Sequence, residues 1–564
     1  MPYRPDPTGK QSFILSRKFP FYFLLPLALL ALLQLPANGN TLQIRKAMTK
    51  YLVCSPLKTV DITPTKSIVN NRALCLSTIY LSVNNYPLWV DEEGPTEAGW
   101  AIVHHLQNSS DHGLNPRKYE IEQIKDVLPS QTPEDLAQLE TLLTFGLVKY
   151  LYDLHGEKDL PISSEAGRMI GETNNSKNSF DPVTLIKKCL EAVDFFTFLK
   201  NQAPSHYHYK GLQESLRLYQ SIAAAGGWLP IPEGPPLKPG DKDSRIKAVK
   251  LRLLRTDLPH DTPLQNINSN YDDTLRRAVL QFQARHNLTT DGVIGLRTLD
   301  AMNIPVRDRL ETVRLNLTRW HRQAHQLGER YILVNIADFT LRGIVDNETV
   351  LDIPVVVGNL QNQTPIFSDH VKYLVFNPYW TITPSIAKNE QLPALRKNPF
   401  HLVERHIRLF SSWYDDAIEM DSTEIDWYTI TPSQMSVFRL RQDPGPWNSL
   451  GKLKFVFPNK HSIYLHDTPS QDLFSRDQRF LSHGCIRVSD PPALASFILD
   501  FQQKKFTPEM IQDLYLQNER KVIPLDTPVP VHITYQTGWV DKEGLIHFNK
   551  DVYARDQKLL HAVN

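Results

Sequence analysis

Gly226–Asp243 reads Gly-Gly-Trp-Leu-Pro-Ile-Pro-Glu-Gly-Pro-Pro-Leu-Lys-Pro-Gly-Asp-Lys-Asp, and no helix or sheet ladder survives that density of proline and glycine. Proline fixes φ and removes a donor, and glycine is costly to order. The stretch is a linker, so the chain on either side of it packs separately. A length of 564 residues suits a division into three or four units.

The two sides differ in texture. Residues 57–225 are predicted to be mostly helical. Leu139, Leu142, Leu143, Phe145, Val148, Leu151 and Leu154 recur at near-helical spacing, and Val183–Leu199 and Tyr209–Ala225 look similar. His206-Tyr207-His208 resembles a metal pattern but has no carboxylate or cysteine beside it, and is read as surface. Residues 244–303 suit three short helices. Ser244 is placed to cap the first, which carries Ile246, Val249 and Leu253 on one face. Leu275, Ala278, Val279 and Phe282 stripe the second, and a turn at Asp291-Gly292 leads to the third.

From 331 the chain becomes rich in β-branched and aromatic runs: Tyr331–Ile336, Val350–Val357, Val371–Phe376, Leu453–Phe457 and Ile463–Leu465. Turn residues bound them, which predicts a β-rich domain over 331–503. A long irregular segment, 378–445, interrupts it with helix and loop character, as an active-site lid does. Residues 504–564 are read as a C-terminal extension with strands. The fold class is α+β multidomain, with a helical unit, a three-helix unit and a β-rich, mixed β-sandwich-like domain.

The first 40 residues read as an address. Arg17 and Lys18 precede an apolar run, Phe19–Leu35, and small and polar residues follow at Ala37-Asn38-Gly39. A basic start, an apolar middle and a small-residue end make an export signal. Cleavage would release the protein and retention would anchor it to a membrane. Both readings stay open, and both place the rest outside the cytoplasm. A net charge of +1 gives no field that would draw the chain to nucleic acid. Four cysteines (Cys54, Cys75, Cys189, Cys485) are too few for a disulfide scaffold, and without Cys-x-x-Cys they make no thiolate zinc cage. Cys54 and Cys75 fit equally a bridge or two small buried hydrophobes; Cys189 is read as buried.

The chemistry concentrates in Ile463-Tyr-Leu-His-Asp-Thr-Pro469 and Phe480-Leu-Ser-His-Gly-Cys-Ile-Arg-Val-Ser489. Cys485 follows a glycine and opens an apolar run, as a residue at a strand start does. His466 ends another predicted strand, so the two meet only if those strands pair or cross. A free thiol ionises near pH ~8.5, and a nearby imidazole lowers that, giving a thiolate near neutral pH. The imidazole needs an acceptor on its other nitrogen, a role open to a nearby backbone carbonyl such as that of Asp467 or to a side-chain carboxylate. Backbone N–H groups around His483, Gly484 and Cys485 are candidates for an oxyanion site.

This pattern resembles the catalytic signature of L,D-transpeptidases of the YkuD type, over about 331–503. Val279–Leu288, Asp291–Gly295 and Thr298-Leu299 look like the three-helix peptidoglycan-binding domain. With the helical region in front, the chain resembles the large multidomain members, which add a scaffold domain. The resemblance implies Cys485 as nucleophile and His466 as proton donor and acceptor. It implies that Ser482, His483, Gly484, Arg487 and Tyr464 shape the pocket, and Trp380 on the lid is a weaker substrate contact. It implies 3→3 crosslinking through a thioester, with loss of D-alanine from a tetrapeptide stem. Peptidoglycan stem peptides and glycan are the expected partners, carbapenems the expected inhibitors, and no metal or organic cofactor is needed. The competing readings are an exported cysteine carboxypeptidase or endopeptidase of the wall, and a wall-binding protein without activity.

Overall fold

The apolar periodicity of the first region makes a helical body. The computed structural model describes residues 39–52, 72–155, 181–258, 266–323 and 327–563. The export signal and Cys54 lie outside them. Among the described residues no helix is long and apolar enough to cross a membrane. The central helix of this body, α1 (Pro133–His155), buries nearly its whole circumference. Glu140 sits in the middle of it with no exposure, a position tenable only because the carboxylate accepts hydrogen bonds from the N–H groups of Leu88, Trp89 and Val90 and from the Tyr80 hydroxyl. Cys75 and Cys189 are buried in the same core, where desolvation pushes both thiols up to about 12.

The last helix of the region, α2 (Tyr207–Ala224), leaves that core. With α6 (Val306–His321) it packs against the β-rich domain through Leu212, Leu216, Val313, Leu317 and Trp320. His206 and His208 are therefore interior residues and not surface ones. His206 Nε2 meets the Tyr331 hydroxyl at 2.6 Å, and His208 Nδ1 meets the Val540 carbonyl at 2.5 Å.

Beyond the linker stand three helices, α3 (Arg245–Leu253), α4 (Asp273–Arg285) and α5 (Leu296–Asn303), around Ile246, Val249, Leu275, Val279, Phe282, Leu299 and Met302. Ser244 does not cap α3. Its backbone is already helical, and the preceding Asp243 accepts the Arg245 N–H instead. Gly292 takes φ +73, as its turn requires.

The β-rich domain holds a mixed sheet of nine strands: β1 (Arg330–Asn335), β2 (Thr340–Val345), β3 (Glu348–Gly358), β4 (Phe367–Phe376), β5 (Leu453–Val456), β6 (Leu465–His466), β7 (Phe480–Ser482), β8 (Ile486–Val488) and β9 (Lys521–Thr534). Their order is β7-β3-β8-β6-β5-β4-β9-β1-β2. The first part of β3 pairs with β2 and its later part with β8, so the sheet bends back on itself around one apolar core. The interior strand β9 comes from the segment read in the sequence as an extension. It lies between β4 and β1, and the sheet is incomplete without it.

The segment between β4 and β5 is a folded subdomain and not an irregular loop. Short strands at Trp380–Thr381, Ile407–Phe410, Glu419–Met420 and Arg439–Gln442 form a separate sheet. Ile382, Leu392, Leu395, Leu402, Trp427 and Met435 give it a core of its own. Strands of two to four residues carrying arginines show no extended β run in the sequence.

Candidate active site

Strands β6 and β8 run side by side and parallel, with Leu465 opposite Ile486 and His466 opposite Arg487. Nineteen positions of sequence separation thus become a one-strand separation. Cys485, immediately before β8, stands beside Tyr464, immediately before β6. Alternation along both strands turns Tyr464, His466, Cys485 and Arg487 to one face. All four line a cleft of about 200 Å³ that also receives Ser482, His483 and Trp380. The lid supplies its other wall, with Glu390, Arg405 and Gln442.

The motif loop is held from within. Gly484 takes φ +111, a conformation open to glycine and strained for other residues. Ser482 is buried; its hydroxyl donates to the Cys485 carbonyl at 2.5 Å and accepts the Gly484 N–H at 3.1 Å. That serine braces the turn, and the Gly484 N–H is thereby spent on it and not left for an oxyanion. Thr364 donates to the Gly484 carbonyl at 2.8 Å, and Tyr553 holds the turn that carries Thr364 by donating to the Gly358 carbonyl and accepting the Thr364 N–H. His483 turns outward to Glu390 of the lid, 2.5 Å away.

His466 is buried, with Nδ1 2.5 Å from the Asp467 carbonyl. A carbonyl only accepts, so the proton sits on Nδ1 and Nε2 keeps its lone pair. Burial first, then the cations Arg487 and Lys454, push His466 down to about 3. Burial raises the Cys485 thiol, against the Tyr464 N–H and hydroxyl and the charges of Lys454 and Arg487, which lower it. Both shifts favour the uncharged forms and oppose the thiolate expected at neutral pH. Desolvation outweighs pairing here, because a buried ion pair needs more compensation than this site offers. The Asp467 carboxylate takes no part: it accepts from the Lys452 and Thr468 N–H groups and from the Tyr515 hydroxyl. Arg487 Nε lies buried with no hydrogen-bond partner in the protein.

Sequence reasoning missed Lys454, Glu390 and Arg405. A lysine inside the apolar run Leu453–Phe457 was the available signal for the first. The lid residues carry no signal, because their position depends on how an inserted subdomain folds over the sheet.

The family of L,D-transpeptidase catalytic domains (YkuD) matches residues 329–531, that of scaffold domains 75–216, and the "Putative peptidoglycan binding domain" 242–302. A curated relative from Haemophilus influenzae, the "Putative L,D-transpeptidase", is 28% identical over 228 residues, which is 40% of this chain. The chain spans 45% of that relative's length. Among solved structures, an L,D-transpeptidase from Mycobacterium smegmatis is 12% identical, covering 36% of this chain and 58% of its own, at a TM-score of 0.18. One from Xylanimonas cellulosilytica is 14% identical, covering 54% and 99%, at a TM-score of 0.17. Superpositions this distant carry no argument, and the fold rests on the strand order above. The chain carries a YkuD-type L,D-transpeptidase catalytic domain together with a scaffold domain and a peptidoglycan-binding domain.

Proposed function

We propose that the protein is an exported L,D-transpeptidase acting on peptidoglycan stem peptides, with Cys485 as nucleophile and His466 as proton carrier. One observation carries the assignment. An imidazole oriented by the Asp467 carbonyl, with a free Nε2, lies in the same cleft and on the same face of the paired strands β6 and β8 as a thiol immediately before β8. A buried, neutral His466 keeps its Nε2 lone pair open to the thiol proton, and its lowered basicity makes that transfer uphill until the substrate carbonyl takes up the charge.

The steps follow from those two groups. When a tetrapeptide stem enters the cleft, the Cys485 proton moves to His466 Nε2. The sulfur attacks the carbonyl of the third residue, a C–S bond forms, and the amide C–N bond breaks. His466 returns the proton to the amine of the departing D-alanine. The thioester is then attacked by the side-chain amine of a second stem, which loses its proton to His466. The C–S bond breaks, the sulfur recovers a proton, and a 3→3 crosslink remains. Tyr464 and the unpaired Arg487 Nε are the donors best placed to meet developing negative charge. Ser482 and Gly484 act by shaping the motif loop, and Trp380 contributes to the cleft wall. No metal or organic cofactor enters the scheme.

Purified protein with a disaccharide-tetrapeptide tests this. The proposal expects crosslinked dimer and free D-alanine, with neither from Cys485→Ala. Tripeptide alone would make the protein a carboxypeptidase. A fragment already crosslinked, if cleaved, would make it an endopeptidase; no turnover of any stem would leave a wall-binding protein. A carbapenem is expected to leave one covalent adduct on the wild type and none on Cys485→Ala, read by intact-mass spectrometry.

A further inference from the structure

His466 lies in the middle of a row that crosses three strands. Lys454 of β5 is its register partner on one side and Arg487 of β8 on the other. Partners in such a row have Cβ atoms about 5 Å apart and share a face. The imidazole is thus bracketed by two cations. Lys454 does not swing out to solvent: it is half-buried, with Nζ 3.7 Å from the centroid of the Tyr464 ring. That ring stands edge-on to His466, centroids 5.7 Å apart, and beside Cys485. Among the described residues no carboxylate pairs with Lys454 or Arg487, although Asp467 is next to His466, because the Asp467 carboxylate is tied to Lys452, Thr468 and Tyr515. From the lid the cleft receives Arg405 and Glu390, and Glu390 is paired with His483 of the motif loop. Half-burying an ammonium without a counter-charge is costly. Strand β5 would be better served there by an apolar residue.

We propose that Lys454 is a positioning residue of the acyl transfer put forward above. Its ammonium, fixed on Tyr464 in the row of His466, keeps that imidazole uncharged and supplies counter-charge to the Cys485 sulfur once the thiol proton has left. The electrostatics agree. Lys454 is among the groups that lower His466 and among those that lower Cys485 against its burial. An imidazolium formed between two cations is itself destabilised, so the proton passes on quickly to the leaving amine. Burial, not Lys454, holds the thiol back at rest, and the Lys454 charge favours the sulfur anion once the proton has left.

The test uses the full chain and needs no wall substrate for its first arm. Alkylation of Cys485 by iodoacetamide is followed against pH by peptide mass spectrometry, which separates it from Cys54, Cys75 and Cys189. Lys454→Met is expected to move the midpoint up by about one pH unit, with Lys454→Arg near wild type. Single-turnover acylation by tetrapeptide at neutral pH is expected to slow about tenfold in Lys454→Met, with the melting temperature equal to or above that of the wild type. A folded Lys454→Met with the wild-type midpoint overturns the proposal. Should that variant fail to fold, Lys454→Gln, which keeps a polar head on Tyr464, carries the same expectation and the same overturning result. The two arms separate the two readings. A shifted midpoint in a protein that never forms an acyl-enzyme overturns the transpeptidase reading alone. An unshifted midpoint in one that does overturns the role of Lys454 alone.

Discussion

His483 and Glu390 meet across the mouth of the cleft, Nε2 to Oε1 at 2.5 Å, one from the motif loop and the other from the lid. The glutamate sits in a π-helical turn, 387–391, that interrupts the lid's helix. Such turns occur often at functional sites. Both side chains are nearly half exposed, 43% and 46%, so the pair is worth no more than ~1 kcal/mol. Glu390→Ala is therefore expected to leave the melting temperature unchanged. It should raise hydrogen exchange across 387–397 by up to about fivefold, an effect that high salt erases. Exchange unchanged in the variant would show that the lid is held by its other contacts.

Gly451 lies under Asp467. It takes φ +58, and a Cβ there would stand 2.3 Å from the Asp467 carboxylate carbon. Asp467 in turn orients His466 through its backbone carbonyl. Gly451→Ala thus has two costs: backbone strain of about 1–3 kcal/mol, and displacement of the residue that sets the imidazole. Expected are a lower melting temperature and a loss of acylation of about 100-fold in the protein that remains folded. Acylation falling only in proportion to the folded fraction would break the link between Gly451 and His466.

What the sequence revealed and what it hid divide along one physical line. Cys485, His466, Gly484 and the Asp291-Gly292 turn were legible because each is a local requirement: a thiol before a strand, a ring nitrogen at a strand end, a glycine where φ is positive. The Asp467 carbonyl was legible only as one of two possible acceptors, and the fold decides between it and a carboxylate by tying the Asp467 side chain elsewhere. Lys454 was not, since its meaning arises only when β5 pairs with β6. The expected thiolate is opposed by desolvation, which is a property of the folded surroundings and not of the pair. Strand β9 was set aside as an extension because nothing in its own residues says it will enter between β4 and β1.

The junction between α2, α6 and the catalytic sheet should be acid-labile. Burial holds His206 at about 3, His532 and His112 at about 4, and His208 well below the usual range. Folded values below the unfolded one, near 6.5, mean that unfolding takes up protons. The stabilisation is complete above about pH 6.5 and drains away as pH falls toward 4 and then 3. Glu140, raised to about 7, and the raised carboxyls of Asp352 and Asp467 run the other way, but burial also lowers His105, His286 and His466 beside these four. The melting temperature is expected to be flat from pH 7 to 8 and to drop steeply below pH 6. His206→Gln, which keeps a polar partner for Tyr331, should lessen that slope; an unchanged slope would clear His206 of the effect.

Asp257 and Arg285 tie the three-helix unit to the rest of the chain. Their side chains are 0% and 3% exposed; Arg285 donates to both carboxylate oxygens at 2.5 and 2.6 Å and also to the Ile546 carbonyl at 3.2 Å. Ile546 belongs to the C-terminal hairpin that packs on α2 and α6. One guanidinium therefore links the wall-binding unit to the body that carries the catalytic sheet. Asp257→Ala leaves that guanidinium buried and unpaired, at a cost of about 3–5 kcal/mol. The damage is expected to appear in two places at once, as faster hydrogen exchange in 244–303 and in 538–548, with weaker retention on insoluble peptidoglycan. Asp257→Ala combined with Arg285→Met removes the orphaned charge and should recover part of the stability, since an apolar pair of similar volume is often neutral there. If exchange rises in the helices alone and the hairpin stays protected, the Ile546 contact does not transmit strain between the two units.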